Sequence, residues 1–358
     1  MICCDRCFND IEIKSIIRGL DVRQEDCPLC KNNDVYIYDT ELNSELKNPF
    51  SEFLSIYSSY DEIKKVAPLF HEFSSLKEEL VDTWNIFNLD KEKIINVVRE
   101  ICPEFYNENS DLFFKSVAVR EYTQRSYIED HSILKCNDWE EFVTEITTNI
   151  RFNIDLFNKK IFEDFLTAFE RSLDHNNTPS YYRGRIVEKL SYKENEMGAP
   201  PKEKAGNGRA NPKGIPCLYL ADSKETSAKE IRAGLHDKMT IGVFSLKRDI
   251  KIIDLVNIDK VSPFSIDNIK AHYVNKKHLK RISAELSKTL RNNSSDIEYL
   301  PTQYVADFIK SRGYDGIKFK STLHPSGFNL AIFDVKAFEC ENVDSYKIDS
   351  LSVTFEAF

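Results

Sequence analysis

Glycine is absent from Asn43 to His175, where charged and large apolar residues recur instead at helical spacing. No run of about eighteen apolar residues occurs, which excludes a membrane-spanning helix, and no membrane partner is expected. Met1 is not followed by a basic segment and an apolar core, so no secretory signal is read and a reducing cytoplasm is the expected compartment. There is no internal repeat and no low-complexity tract. An excess of positive charge is also missing: the net charge is -9, against the spread basicity of a general nucleic-acid binder, so no nucleic acid is expected as partner.

What is present falls into three parts. At 358 residues and 41% hydrophobic, the chain can bury more than one core, and its length favours two or three domains. Cys4-Asp5-Arg6-Cys7 and Cys27-Pro28-Leu29-Cys30 set two CxxC pairs apart by an interval that suits a zinc ribbon. Cys4, Cys7, Cys27 and Cys30 would fill all four positions of a structural zinc, with Cys3 as a competitor to Cys4. Cys102, Cys136, Cys217 and Cys340 read as scattered core residues.

In the glycine-poor middle, Trp139, Phe142, Val143, Ile146 and Ile150 follow Asp138, a candidate cap. Phe162, Phe165, Leu166, Phe169 and Leu173 repeat the stripe, as core faces of a helical bundle would. A polar linker, Asp174 to Pro179, ends the segment. A further helix is expected over Asp267 to Arg291, its lysines forming a solvated face.

Against the acidic whole, Arg183 to Lys213 holds eight Lys/Arg and four Glu. A local surplus of this kind fits a small polyanionic ligand. Arg183 and Arg209 are the candidate phosphate clamps, because a planar guanidinium donates two parallel bonds and keeps its charge. Gly206 and Gly208 would let backbone N–H groups approach a phosphate, although any Gly/Asn-rich turn looks similar. Ile215 to Ala221 reads as a buried strand, after which Asp222 or Ser223 caps a helix with Glu230 in its first turns. A helix glutamate is by default solvated.

Tyr182-Arg183, Pro200-Pro201, Gly208 to Pro216, Leu218 to Ala221, Thr226 and Glu230-Ile231-Arg232 together resemble the RES domain. The likeness continues through Glu298 to Tyr304, Gly313 to Ser321, Gly327, Asn329-Leu330 and Phe333-Asp334, covering roughly residues 179–337. It implies a fold similar to ADP-ribosyltransferases and a toxin that consumes NAD. By that resemblance Arg183, Glu230 and Ser321 match the name-giving residues and Tyr219 the aromatic near the nicotinamide pocket. Glu230 would face the ribose, Arg183 and Arg209 would hold NAD, and Ser321 would orient the ribose or nicotinamide. His324 is left out of that mechanism.

The resemblance extends more weakly to an N-terminal region described as HEPN-like, in which Arg125 and His131 have the loose spacing of a ribonuclease motif. The expected fold class is α+β: a zinc ribbon at 1–40, a helical HEPN-like domain at 41–178 and an ADP-ribosyltransferase-like RES domain at 179–358. NAD hydrolysis is the expected activity, with a cognate antitoxin as protein partner and a place in toxin–antitoxin or defence systems. Transfer of ADP-ribose to protein, phosphate as the acceptor, and a zinc-containing RNA-binding or RNA-cleaving module with a nucleotide-sensing domain are the alternatives.

Overall fold

The computed structural model describes residues 1–136, 138–152, 154–188, 190–258, 261–288 and 296–350. It is mixed α+β and divides into two compact units, Met1–Asn137 with Asp259–Lys277 and Asp138–Ile258 with His278–Phe358.

In the first unit, strands β1 (Ile2–Cys4), β2 (Arg23–Asp26) and β3 (Asn33–Asp39) form an antiparallel sheet with β3 in the middle. The helix Ile11–Gly19 is capped by Asp10, whose carboxylate accepts from Glu12 N and Ile13 N, and it buries Ile13 and Ile17. A second small antiparallel sheet sets β6 (Ser116–Val119) between β4 (Tyr57–Ser59) and β5 (Ser74–Ser75). The glycine-free stretch is therefore not purely helical, because strands of two to four residues are too short to leave an alternating pattern. Helix Lys91–Ile101 does follow the helical pattern, burying Ile94, Val97, Val98 and Ile101. Phe8, Phe50, Phe53, Trp84 and Phe87 fill the core of this unit.

The second unit is built on eight strands: β7 (Glu170–Leu173), β8 (Tyr181–Ile186), β9 (Leu218–Ala221), β10 (Lys238–Leu246), β11 (Ile250–Asp254), β12 (Gly316–Lys320), β13 (Phe328–Ile332) and β14 (Phe338–Lys347). Their order is β14-β10-β8-β9-β13-β12-β11-β7, antiparallel throughout except for β11 with β12. Tyr181, Leu218, Leu220, Phe244, Ile252, Leu330 and Ile332 share one apolar core of the sheet.

Both apolar stripes are modified. Trp139, Phe142 and Ile146 are buried, but Ile150 is exposed, because helix Trp139–Thr144 continues into a π-turn, Glu145–Asn149, that shifts the helical phase. The helix carrying Phe162, Leu166 and Phe169 ends at Phe169, and Leu173 belongs to β7, which lies before the polar linker and forms an edge of the large sheet. Strand β9 starts at Leu218 rather than Ile215, which is exposed just after the turn at Gly214 (φ 85°). The expected helix over Asp267 to Arg291 is found as Ile269–Ser287, while residues 289–291 lie outside the described residues. Its Lys276 is not part of a solvated face: it is buried, with Nζ 4.4 Å from the centre of the Trp84 ring.

Candidate active site

Strands β8 and β9 lie side by side, and their residues Arg183 and Tyr219 line a cavity of about 490 Å³. That volume lies in the range of small-molecule sites. Gly208, Arg209, Glu230, Arg232, Lys288 and Asn329 also line it.

Glu230 occupies the last position of helix Lys224–Glu230, not its first turns. Ser223 caps the start by accepting from Thr226 N, and Arg232, at φ 53°, turns the chain out of the helix after only seven residues. A carboxylate there faces the negative end of the helix dipole, which disfavours it locally. Two donors offset this. Ser321 Oγ donates to Glu230 Oε1 at 2.6 Å, and Asn329 Nδ2 donates to the same oxygen at 2.8 Å. Both bonds fall on Oε1, so among the described residues Oε2 is the atom available to a ligand.

Ser321 follows β12 in a tight loop closed by Ser321 N to Gly327 O at 3.0 Å and Gly327 N to His324 O at 2.9 Å. Its hydroxyl also accepts from His324 N at 3.1 Å. Buried and absent from the cavity lining, Ser321 reaches the site through Glu230. His324 stands behind it, with Nδ1 2.7 Å from Thr226 Oγ1, so it ties the loop to the start of the Glu230 helix.

Two of the N–H groups in the glycine loop are bonded within the fold. Gly208 N donates to Asn211 O at 2.9 Å, and Ala210 N donates to the Tyr219 hydroxyl at 3.1 Å. Tyr219 in turn donates to Asn211 Oδ1 at 2.8 Å, and Gln303 Nε2 donates to Gly208 O and Asn211 O. A Cβ on Gly208 would lie 2.5 Å from both Asn211 Oδ1 and the Tyr219 hydroxyl, so the close approach requires glycine here. Gly208 N is used within the loop and Ala210 N on β9, and Arg209 between them lines the cavity.

Both arginines are held by carbonyls. Arg183 Nη1 donates to Gly198 O at 2.7 Å, and Arg209 Nη1 donates to Glu285 O at 2.6 Å. Arg209 Nη2 is buried without a hydrogen-bond partner among the described residues. Burial, reinforced by the neighbouring Arg185 charge, pulls the Arg183 guanidinium down to about 10. Burial also lowers Arg209 and raises the Tyr219 phenol well above its ordinary value. Two desolvated cations with donor capacity to spare favour an anionic ligand.

Sequence reading found Arg183, Arg209, Tyr219 and Glu230, and the fold brings all four to this cavity. It gave no role to Asn329, Arg232 or Lys288. Asn329 and Arg232 stood within the matched motifs, whereas nothing in the sequence singled out Lys288.

Residues 184–355 match the RES domain. The RES span contains Arg209, Tyr219, Glu230, Ser321 and Asn329, and begins immediately after Arg183. A solved structure similar to this chain is the crystal structure of the M. tuberculosis MbcT-MbcA toxin-antitoxin complex, at 15% identity and TM-score 0.31, covering 51% of this chain and 90% of that one. None of the curated proteins compared matches the chain.

The N-terminal cysteines form a separate candidate metal centre. Cys4, Cys7, Cys27 and Cys30 come together with Sγ–Sγ distances of 3.6 Å (Cys4–Cys7), 3.4 Å (Cys4–Cys30) and 3.7 Å (Cys7–Cys27). Tetrahedral zinc with Zn–S bonds of about 2.3 Å requires sulfur–sulfur edges of about 3.8 Å, so the four residues fit that ion. Asn32 Nδ2 donates to Cys30 Sγ at 3.1 Å, orienting a ligand from outside the set. Cys3 is buried but is not one of the clustered thiols. Of the remaining cysteines, Cys102 and Cys217 are buried, while Cys136 and Cys340 are partly exposed.

Arg125 and His131 make separate contacts. Arg125 is exposed and pairs with Glu129 at 2.8 Å, while His131 stacks on Tyr127 with ring centroids 4.0 Å apart.

Proposed function

We propose that this chain is an NAD glycohydrolase that cleaves the nicotinamide–ribose bond of NAD, acting as a cytoplasmic toxin restrained by a cognate antitoxin. The observation that carries this reading is Glu230, fixed by Ser321 and Asn329 and the single carboxylate among the described lining residues of the cavity, whose other charged members are cationic. The RES match supports the choice of NAD and the toxin role.

In this mechanism Arg183 and Arg209 hold the pyrophosphate, and the Tyr219 ring lines the nicotinamide side. The bond from ribose C1′ to the pyridinium nitrogen breaks, its electron pair neutralising the ring, and nicotinamide leaves uncharged. Positive charge grows on the ribosyl group, where Glu230 Oε2 stabilises it and accepts from a ribose hydroxyl. Water bonds to C1′ and releases a proton to solvent, giving ADP-ribose. Ser321 is a positioning residue, not a nucleophile, because its proton already points to Glu230. Cys4, Cys7, Cys27 and Cys30 would hold a zinc whose role is structural, since four thiolates leave no open position.

Incubation with NAD followed by product separation tests the reading. Free nicotinamide with equimolar ADP-ribose is expected. ADP-ribose attached to protein, or a phosphorylated ADP-ribose formed with added phosphate, would assign a different acceptor. Intact NAD alongside cleaved RNA would favour the RNA-directed alternative.

A further inference from the structure

We propose that the second unit holds a further ligand site, separate from the cavity of Glu230, for a nucleoside phosphate whose base presents two adjacent N–H donors, as guanine does. It stands whether or not NAD is cleaved.

The site is a second cavity of about 450 Å³, within the range of small-molecule sites, along helix Leu300–Ser311. Gln303, Asp307 and Ser311 follow one another at steps of four residues, as do Tyr304 and Phe308, so two neighbouring rows of one helix face line the cavity. One row is polar and the other aromatic.

The polar row offers acceptors that lack donors. Gln303 is only 6% exposed, and its Nε2 is engaged by Gly208 O at 2.9 Å and Asn211 O at 3.0 Å, which leaves Oε1 without a hydrogen bond among the described residues. Asp307, one turn further on, has neither ion pair nor hydrogen bond among the described residues. Partial burial raises its carboxyl above the ordinary value, against the opposing charge of Lys310, so N–H donors from a ligand would stabilise the carboxylate. Two acceptors on adjacent turns call for a ligand edge with adjacent donors.

The remaining walls add charge and a ring. Arg151 and Lys159 line the cavity and enter no ion pair among the described residues, so both cations are available to a phosphate. Phe152, between them in sequence, is 82% exposed and also lines the cavity, where its ring can lie on a planar base. Guanine carries N1–H beside its N2 amino group, and a carboxylate accepts from both. Adenine presents the N1 lone pair at that edge, which a carboxylate repels.

The test is calorimetric titration of the full chain with 5′-GMP, for which a Kd below about 1 mM is expected. Asp307→Asn should weaken 5′-GMP at least about tenfold and create binding of xanthosine 5′-monophosphate, because a carboxamide accepts from N1–H and donates to the oxygen that replaces the amino group. Arg151→Glu with Lys159→Glu should weaken 5′-GMP about tenfold and leave guanosine unaffected. Arg183→Met, in the other cavity, should leave 5′-GMP binding unchanged. No binding at about 10 mM 5′-GMP, or binding abolished by Arg183→Met, would overturn the proposal. So would Asp307→Asn that leaves 5′-GMP unchanged or gains no affinity for xanthosine 5′-monophosphate, and so would guanosine binding as tightly as 5′-GMP.

Discussion

Ser321 donates its hydroxyl proton to Glu230 Oε1 at 2.6 Å, although the two residues lie 91 positions apart in the chain. A hydrogen bond to a charged group contributes about 1.5–3 kcal/mol. Ser321→Ala should therefore lower kcat for NAD cleavage by roughly ten- to a hundredfold while KM changes little, because Ser321 does not line the cavity. Steady-state kinetics checks this; a rise in KM at constant kcat would make Ser321 a ligand-binding residue instead.

Arg183 combines burial with a place in the cavity lining. Burial lowers its folded pKa to about 10, so the folded protein binds fewer protons than the unfolded chain between about pH 10 and the unfolded value. The destabilising cost of the buried charge is fully present below about pH 10 and is relieved as pH rises through that window. At neutral pH an anionic ligand offsets the same cost. Arg183→Met should leave the Tm of the ligand-free protein equal or higher while abolishing the thermal shift given by ADP-ribose. Arg183→Lys should restore only part of that shift, and full restoration would reduce Arg183 to a general positive charge.

Much of this site was legible in the sequence and part of it was not, for physical reasons. Arg183, Tyr219, Glu230 and Ser321 stood in ordered motifs, so their presence at one site could be expected. The bond partners were hidden, because they depend on strand register and loop closure: Asn329 pairs with Ala221 across β13 and β9, and Ser321 is turned by the His324–Gly327 closure. Gly206 to Arg209 suggested a backbone cradle, but a glycine is equally required where another side chain packs close, as Tyr219 does on Gly208. In the fold, the apolar stripe from Trp139 was readable until the π-turn changed its phase, a shift that leaves no mark in composition.

Tyr219 links the strand to the arginine loop. Tyr219→Phe keeps the ring but leaves Ala210 N–H and Asn211 Oδ1 without the phenol, which costs about 1–3 kcal/mol at a buried site. Thermal unfolding should show this loss, and ADP-ribose affinity should fall because Arg209 is no longer held in place. Gly208→Ala should act in the same direction. Unchanged affinity in both variants would separate the loop from the site.

Metal analysis of the purified chain should give about one zinc per molecule. Cys27→Ser with Cys30→Ser should remove it and expose the β1–β3 region to proteolysis, while loss of stoichiometric zinc without any change in proteolysis would deny the metal a structural role.

The most direct measurement of the central claim is nicotinamide release from NAD by wild-type protein and by Glu230→Gln, each checked for binding of ADP-ribose. The account predicts release by wild type, a fall of several orders of magnitude in kcat for Glu230→Gln, and ADP-ribose binding retained, because the lost charge acts mainly in the transition state. Near wild-type release by Glu230→Gln would contradict it.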